Sequence, residues 1–171
     1  MNPASEIVAV VDDHNRVIGA TTRREMRARR LTHRATYILV FNGSGELFVQ
    51  KRTMRKDVYP GYFDVAAGGV VLAEETYDQG AARELDEEMG IKNVPLNYLF
   101  EFYFADGGMR VWGRAYSCEF DGRVVLQEEE VASGDFFTIR EVLKMAARSP
   151  FTPDGLYVLR RFLARCASNR S

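Results

Sequence analysis

Apolar and polar positions repeat with two periods along this chain of 171 residues. A period of two marks strands, and a period near 3.6 marks helices. Residues 6–12 (EIVAVVD) and 16–21 (RVIGAT) are β-branched runs separated by Asp13-His14-Asn15, which is turn chemistry, so they read as a hairpin. Residues 22–30 (TRREMRARR) are good helix formers and strongly basic, and read as a helix with a solvated face, ahead of the alternative that it meets an acidic partner or phosphates. Residues 36–41 (TYILVF) predict a buried strand. Gly43-Ser44-Gly45 turns it into 46–52 (ELFVQKR), where Leu47 and Val49 alternate. Residues 63–67 (FDVAA) predict another strand. Beyond the break at Asn93-Val94-Pro95, residues 97–105 and 109–120 flank Asp106-Gly107-Gly108, a hairpin signal. Tyr98, Phe100, Phe102 and Phe104 share one face by alternation and are expected in the sheet core, as is Trp112. Residues 139–148 and 153–167 carry apolar stripes at helical spacing, with Asp154 in the first turn of the second. The order of elements implies an α/β protein with a mixed sheet covered by helices on both faces.

The helix expected from Glu75 onward carries the chemistry. A helical wheel puts Asp78, Ala81, Ala82, Leu85 and Met89 on one side, expected to lie on the core. Arg83, Glu84, Glu87 and Glu88 fall on the other, with Gly80 leaving open space on that acidic face. Glu84 precedes Glu87 and Glu88 by three and four residues, so the three carboxylates are neighbours. Like charges at that spacing are unfavourable by a few tenths of a kcal/mol, roughly, per pair. A hard divalent cation such as Mg²⁺ or Mn²⁺ removes that repulsion and leaves positions for water and phosphate.

The full spacing sharpens this. Gly69, five residues, Glu75, seven residues, Arg83-Glu84-Leu85, one residue, Glu87-Glu88, one residue, Gly90-Ile91: the stretch resembles the Nudix box at every specified position. The resemblance implies a Nudix α/β/α sandwich in which residues 69–91 form a loop–helix–loop holding Mg²⁺ against a diphosphate. It implies Glu84, Glu87 and Glu88 as metal ligands, with Gly69 letting the backbone approach the metal and Gly90 ending the helix. Arg83 would pair with Glu75 to brace the loop. The Leu31-x-His33-Arg34-Ala35 run, Gln50-Lys51-Arg52 and Tyr59-Pro60-Gly61-Tyr62, with the N-terminal hairpin and helix, are similar to the isopentenyl-diphosphate-isomerase-like branch. In that branch basic residues matching Arg52 and Lys56 lie near the diphosphate. Lys51 and Arg55 could join them, since Arg and Lys both clamp phosphate oxygens. Glu129 and Glu130 loosely match an acidic pair that supplies a further ligand or a base. The general base is left between the box glutamates and Glu130.

Length and composition agree with one domain spanning 1–171, with 1–34 as an N-terminal extension. A net charge of -1 gives no global pull toward nucleic acid or membrane, and no apolar run reaches membrane-span length. The start of the chain does not look like a signal peptide. Cys118 and Cys166 have no metal-like spacing, so a reduced, cytoplasmic protein is expected. The expected partner is a small-molecule diphosphate, without stable nucleic acid; a homodimer is compatible. Two rival readings stand beside the Mg²⁺-dependent diphosphate hydrolase: an isopentenyl-diphosphate-type isomerase, and a non-catalytic diphosphate-binding module. The isomerases place a cysteine before a Gly-His pair where this chain has Ala67-Gly68-Gly69, so the isomerase is disfavoured. His33 matches one histidine of their metal site and is read here as structural.

Overall fold

The structure, a computed structural model, describes residues 2–169. After a short turn of 3-10 helix at Pro3–Ser5 come β1 (Ile7–Val11), β2 (Val17–Thr22), α1 (Arg23–Arg29), β3 (His33–Phe41), β4 (Leu47–Arg52) and β5 (Phe63–Asp64). Then follow α2 (Tyr77–Met89), β6 (Asn97–Ala105), β7 (Arg110–Glu119), β8 (Val131–Phe137), α3 (Ile139–Ala146) and α4 (Pro153–Ser168).

Strand β3 is the spine. It runs parallel to β7, from His33 opposite Val111 to Phe41 opposite Glu119. On its other side the segment ahead of α2 pairs antiparallel, Ile38 with Ala67 and Ala35 with Val70. The β1–β2 hairpin joins through Val10 and His33. Strand β4 joins at Phe41 and Leu47 and carries β5 and β8. The β6–β7 hairpin completes a mixed sheet. Successive side chains of β3 serve opposite cores, as a pleated strand requires. Tyr37 and Leu39 pack with Val142 of α3 and with Val158 and Leu159 of α4. Ile38 and Val40 pack with Ala81, Leu85 and Met89 of α2. That two-sided burial is the α/β/α arrangement expected.

Four expectations are corrected. Helix α2 is rotated: its buried face is Tyr77, Gly80, Ala81, Glu84, Leu85, Glu88 and Met89, while Asp78 and Ala82 are exposed. Hydrophobicity alone misplaces it because two glutamates are buried with the apolar stripe. Gly80 faces no open space, since a Cβ there would lie 3.2 Å from Glu75 Oε2 and 3.5 Å from a Val71 methyl. Tyr98 is 60% exposed, apart from buried Phe100 and Phe102, because the β6–β7 register shifts between Tyr98 and Phe100 and turns it to the other face. The strand of 63–67 shrinks to Phe63–Asp64, with single bridges beyond it. A further strand, β8, has no counterpart in the sequence reading. The middle of its VASGDFF sequence, from Ala132 to Asp135, is weak in strand formers, but Gly134 is roofed by Phe48: a Cβ there would stand 2.5 Å from Cζ of that ring.

Candidate active site

Thr76 starts α2 with a capping box, accepting from Gln79 N while Gln79 Oε1 accepts from Thr76 N. Gly90 ends the helix in the left-handed region at φ 65. Between these caps the helix presents Glu84 and Glu88 to the loop 67–70, which β3 holds from behind. Glu88 is 1% exposed and Glu84 8%. Glu88 Oε2 accepts from Gly68 N at 3.0 Å and from Gln50 Nε2 at 3.5 Å. Gly68 has φ +135, and a Cβ on it would fall 2.1 Å from the Thr36 carbonyl, so only glycine fits. A Cβ on Gly69 would lie 2.7 Å from the Glu84 carboxylate. The Gly69 carbonyl accepts from Thr36 N at 2.9 Å, so what Gly69 contributes toward Glu84 is the missing side chain.

Arg83 braces this face as expected. Its Nε and Nη2 donate to the two Glu75 oxygens at 2.6 and 3.0 Å, and Nη2 also donates to Val70 O at 3.2 Å. Its Nη1 donates to Glu84 Oε1 at 2.7 Å and Glu87 Oε2 at 3.2 Å. Glu87 is the exposed member of the acidic trio. Lys56 reaches the other side, with Nζ 2.5 Å from Glu130 Oε2 and 3.8 Å from Glu88 Oε1. Glu130 therefore joins the box glutamates through Lys56, while Glu129 stays exposed. Arg52 is less free than a phosphate clamp would be: Nε and Nη2 donate to Val58 O at 3.2 and 2.9 Å, and Nη1 stands 3.4 Å from Asp64 Oδ2. Lys51 lies over the Phe63 ring and Arg55 is exposed.

The electrostatics follow from burial. Burial first, and the Glu88 charge second, push Glu84 up to about 7. Burial raises Glu88 too, with Lys56 and the Gly68 N–H pulling it back. Buried carboxylates this close to others call for positive charge, and in this structure Arg83 and Lys56 supply it. With the acids drawn onto those cations, no group of three or more His, Cys, Asp or Glu side chains among the described residues stands ready to hold an ion. The donor set itself fits a hard divalent cation: carboxylate oxygens, those of Glu84 and Glu88 destabilised as anions by burial, beside a loop whose backbone comes close.

A cleft of about 70 Å³ opens beside Gly68 and Gly69, and Arg52 and Lys56 line it. His33 lines it too, with Nδ1 3.2 Å from Leu31 O. Burial and the nearby Arg27 hold His33 down at about 3, so it is neutral at ordinary pH. Trp112 lies away from the cleft, against Tyr103. Sequence reasoning missed part of the wall. Arg23 and Arg27 of the basic helix turn inward onto Asp57, at 3.3 and 3.2 Å, and line the cleft instead of forming a solvated face. It also missed Tyr37, Asp64, Thr152 and Asp154. An acid inside the apolar FDVAA run was the one available signal for Asp64.

Residues 31–162 match the family model of the NUDIX domain. The chain thus belongs to the Nudix hydrolases and is a pyrophosphohydrolase of that type. It is 44% identical over 159 residues to the uncharacterised Nudix hydrolase PA4841 of Pseudomonas aeruginosa, covering 93% of this chain and 94% of that one. It is also 44% identical over 168 residues to the uncharacterised Nudix hydrolase YfcD of Escherichia coli K12, covering 98% and 92%. The crystal structure of DR0079 from Deinococcus radiodurans superposes with a TM-score of 0.81 at 24% identity, over 91% of this chain and 98% of that one. The NUDIX domain of Shewanella oneidensis NrtR, complexed with ADP ribose, gives 0.66 at 15% identity, over 85% and 99%. These two structures share the fold.

Proposed function

We propose that the protein hydrolyses the diphosphate linkage of a nucleoside-diphosphate-X-like or other organic diphosphate, using Mg²⁺, with Mn²⁺ as a substitute. The observation that carries this reading is the burial of Glu84 and Glu88 together beside the Gly68-Gly69 backbone, with Glu130 held close by Lys56. Glu84, Glu87 and Glu88 would hold the ion, and Gly69 keeps the approach to Glu84 free of a side chain. A bound divalent cation lowers the pKa of water and neutralises charge on phosphate oxygens. Arg83 fixes the glutamates by tying them to Glu75 and the Val70 carbonyl. Lys56 turns from the carboxylates to the phosphate, and Arg52 adds positive charge from the cleft wall. Glu130 or one of the box glutamates accepts the proton of the attacking water. The ADP ribose of the NrtR domain supports a nucleoside diphosphate as the substrate class.

The hairpin β1–β2 and helix α1 precede the family match at residue 31, which supports a relation to the isopentenyl-diphosphate-isomerase-like branch. They share the sheet through β1 and β3, so the chain is taken to work as one domain. Free Cys118 and Cys166 support a reducing, cytoplasmic setting. Among the described residues no helix is long and apolar enough to cross a membrane.

The test is a panel of nucleoside diphosphate sugars, dinucleotides, coenzyme A derivatives and isoprenoid diphosphates, with and without Mg²⁺, following released phosphate products. Turnover is expected only with the ion. Glu87→Gln and Glu88→Gln should lower kcat by about two orders of magnitude, equivalent to about 2.7 kcal/mol, and should weaken Mg²⁺ binding in calorimetry. Full turnover by the folded double variant would remove the box from the mechanism.

A further inference from the structure

Another patch of the cleft wall takes no part in the chemistry above. Tyr37, Asp64, Thr152 and Asp154 line the same cleft as Gly68 and Gly69. Tyr37 donates to Asp154 Oδ2 at 2.8 Å. Asp154 Oδ1 has no hydrogen-bond partner, although the residue is only 9% exposed. Thr152 is the N-cap residue of α4, a position where Thr ordinarily accepts from a helix N–H. Its hydroxyl makes no such bond. It lies near Asp64 without a hydrogen bond of normal geometry, and at 1% exposure it has no other partner. A Cβ on Gly155 would stand 2.5 Å from both Asp64 Oδ1 and Thr152 Oγ1, so only the bare backbone fits against these two oxygens.

Buried polar atoms without partners are rare, and each needs a reason. Two independent ones meet here, on a carboxylate and on a cap residue that does not cap. Burial, ahead of the opposing Arg52 charge, pushes Asp64 up to about 6, and burial raises Asp154 as well. Both acids therefore gain from a donor brought to them. Arg52 links this patch to the box, since its charge acts on Asp64, Asp154 and Glu88 alike. The cleft has space for only a small group at this depth, the volume of a few water molecules.

We propose that this patch recognises the terminal group esterified to the diphosphate by a small hydrogen-bond donor on it, a hydroxyl or a protonated amine, set against Asp154 Oδ1 and Thr152 Oγ1. The proposal rests on the diphosphate-hydrolase reading and gives its substrate a chemical class. A site built to pair with a donor rejects the analogue that lacks one more strongly than an apolar pocket rejects a change of size, because the site's own polar atoms are then left unpaired.

The test compares cytidine diphosphate esters that differ only in the terminal group, within the wider diphosphate panel and with Mg²⁺ present. In the terminal group, CDP-glycerol offers hydroxyls, CDP-ethanolamine a protonated amine, and CDP-choline a cation without a donor, while the cytidine donors are common to all three. We expect kcat/KM for at least one donor-bearing ester to exceed that for CDP-choline by about tenfold or more. Thr152→Val keeps the volume of the side chain and removes the hydroxyl, and Asp154→Asn keeps the shape and removes the charge. Either should shrink the preference by about fivefold. If Asp154→Asn unfolds, Thr152→Val carries the test alone, since its hydroxyl caps nothing. Which ester is preferred distinguishes hydroxyl from amine. Turnover with no preference for a donor, or a preference that survives both variants, overturns this proposal and leaves the hydrolase reading intact. Absence of turnover with every diphosphate in the panel overturns that reading, and this proposal with it.

Discussion

Glu84 shows what a single side chain can carry. It is buried, it takes a hydrogen bond from Arg83, and it faces the bare backbone of Gly69. Its proton affinity is raised from the ordinary 4.5 to about 7, by burial first and by Glu88 second. A carboxyl raised in this way binds its proton more tightly in the folded protein than in the unfolded chain. The stability it contributes is complete below about pH 4.5 and is lost as pH rises toward 7. Glu84→Gln removes the titration. In Mg²⁺-free buffer the variant should therefore gain stability relative to the native protein as pH rises from 5 to 7.5, on the order of 1 kcal/mol or more. Denaturant unfolding at the two pH values measures this. An unchanging difference would show that Glu84 does not titrate in that window. His33 is kept neutral throughout the same range, held down at about 3 by burial.

At the scale of elements, the chain was legible wherever local chemistry and burial agree. The apolar run in β3 and the Asp106-Gly107-Gly108 turn between β6 and β7 both state their structure plainly. So does the spacing of Glu75 and Arg83, whose ion pair forms as the box resemblance implies. Legibility failed where tertiary contact overrides local preference. The rotation of α2 was hidden because Glu84 and Glu88 lie with the apolar residues, against the usual fate of charged side chains. Asp64 and Asp154 were hidden for the same reason. The inward turn of Arg23 and Arg27 depends on Asp57, distant in sequence. Strand β8 depends on Phe48, whose ring covers Gly134 and meets Phe136 edge-on at 5.1 Å. That dependence can be measured. Gly134→Ala puts a methyl group into the Phe48 ring and should destabilise the fold by about 1–3 kcal/mol, the usual range for overpacking. Pairing the change with Phe48→Leu should recover part of the loss, as thermal unfolding of the single and double variants would show.

The molecule as a whole sets the box glutamates behind Gly68 and Gly69 and the acids Asp64 and Asp154 along the cleft beside those glycines, with basic side chains around them and no thiol. Its two cysteines are elsewhere, Cys118 buried in β7 with the α2 core and Cys166 on α4. At the position where an isomerase would carry a histidine, Gly69 leaves no room: even a Cβ would meet the Glu84 carboxylate. Carbon protonation and deprotonation need an acid and a base on opposite sides of the substrate. We therefore expect no dimethylallyl product from isopentenyl diphosphate and Mg²⁺, followed by product chromatography over many hours. Robust isomerisation would displace the hydrolase reading.

The parallel partnership of β3 with β7 also sets an order in time. During synthesis β3 and the whole of α2 are made before β7, and β3 lacks that neighbour until the chain has passed Glu119. Closing so long a loop is entropically unfavourable, and such non-local pairings form slowly. Until then Ile38, Val40 and Leu85 lack the cover of Tyr116 and Cys118, which complete their core. Asp154 arrives later still. The newborn chain therefore passes through a stage with α1 and α2 made, its sheet half-built and the apolar face of α2 still without its full cover.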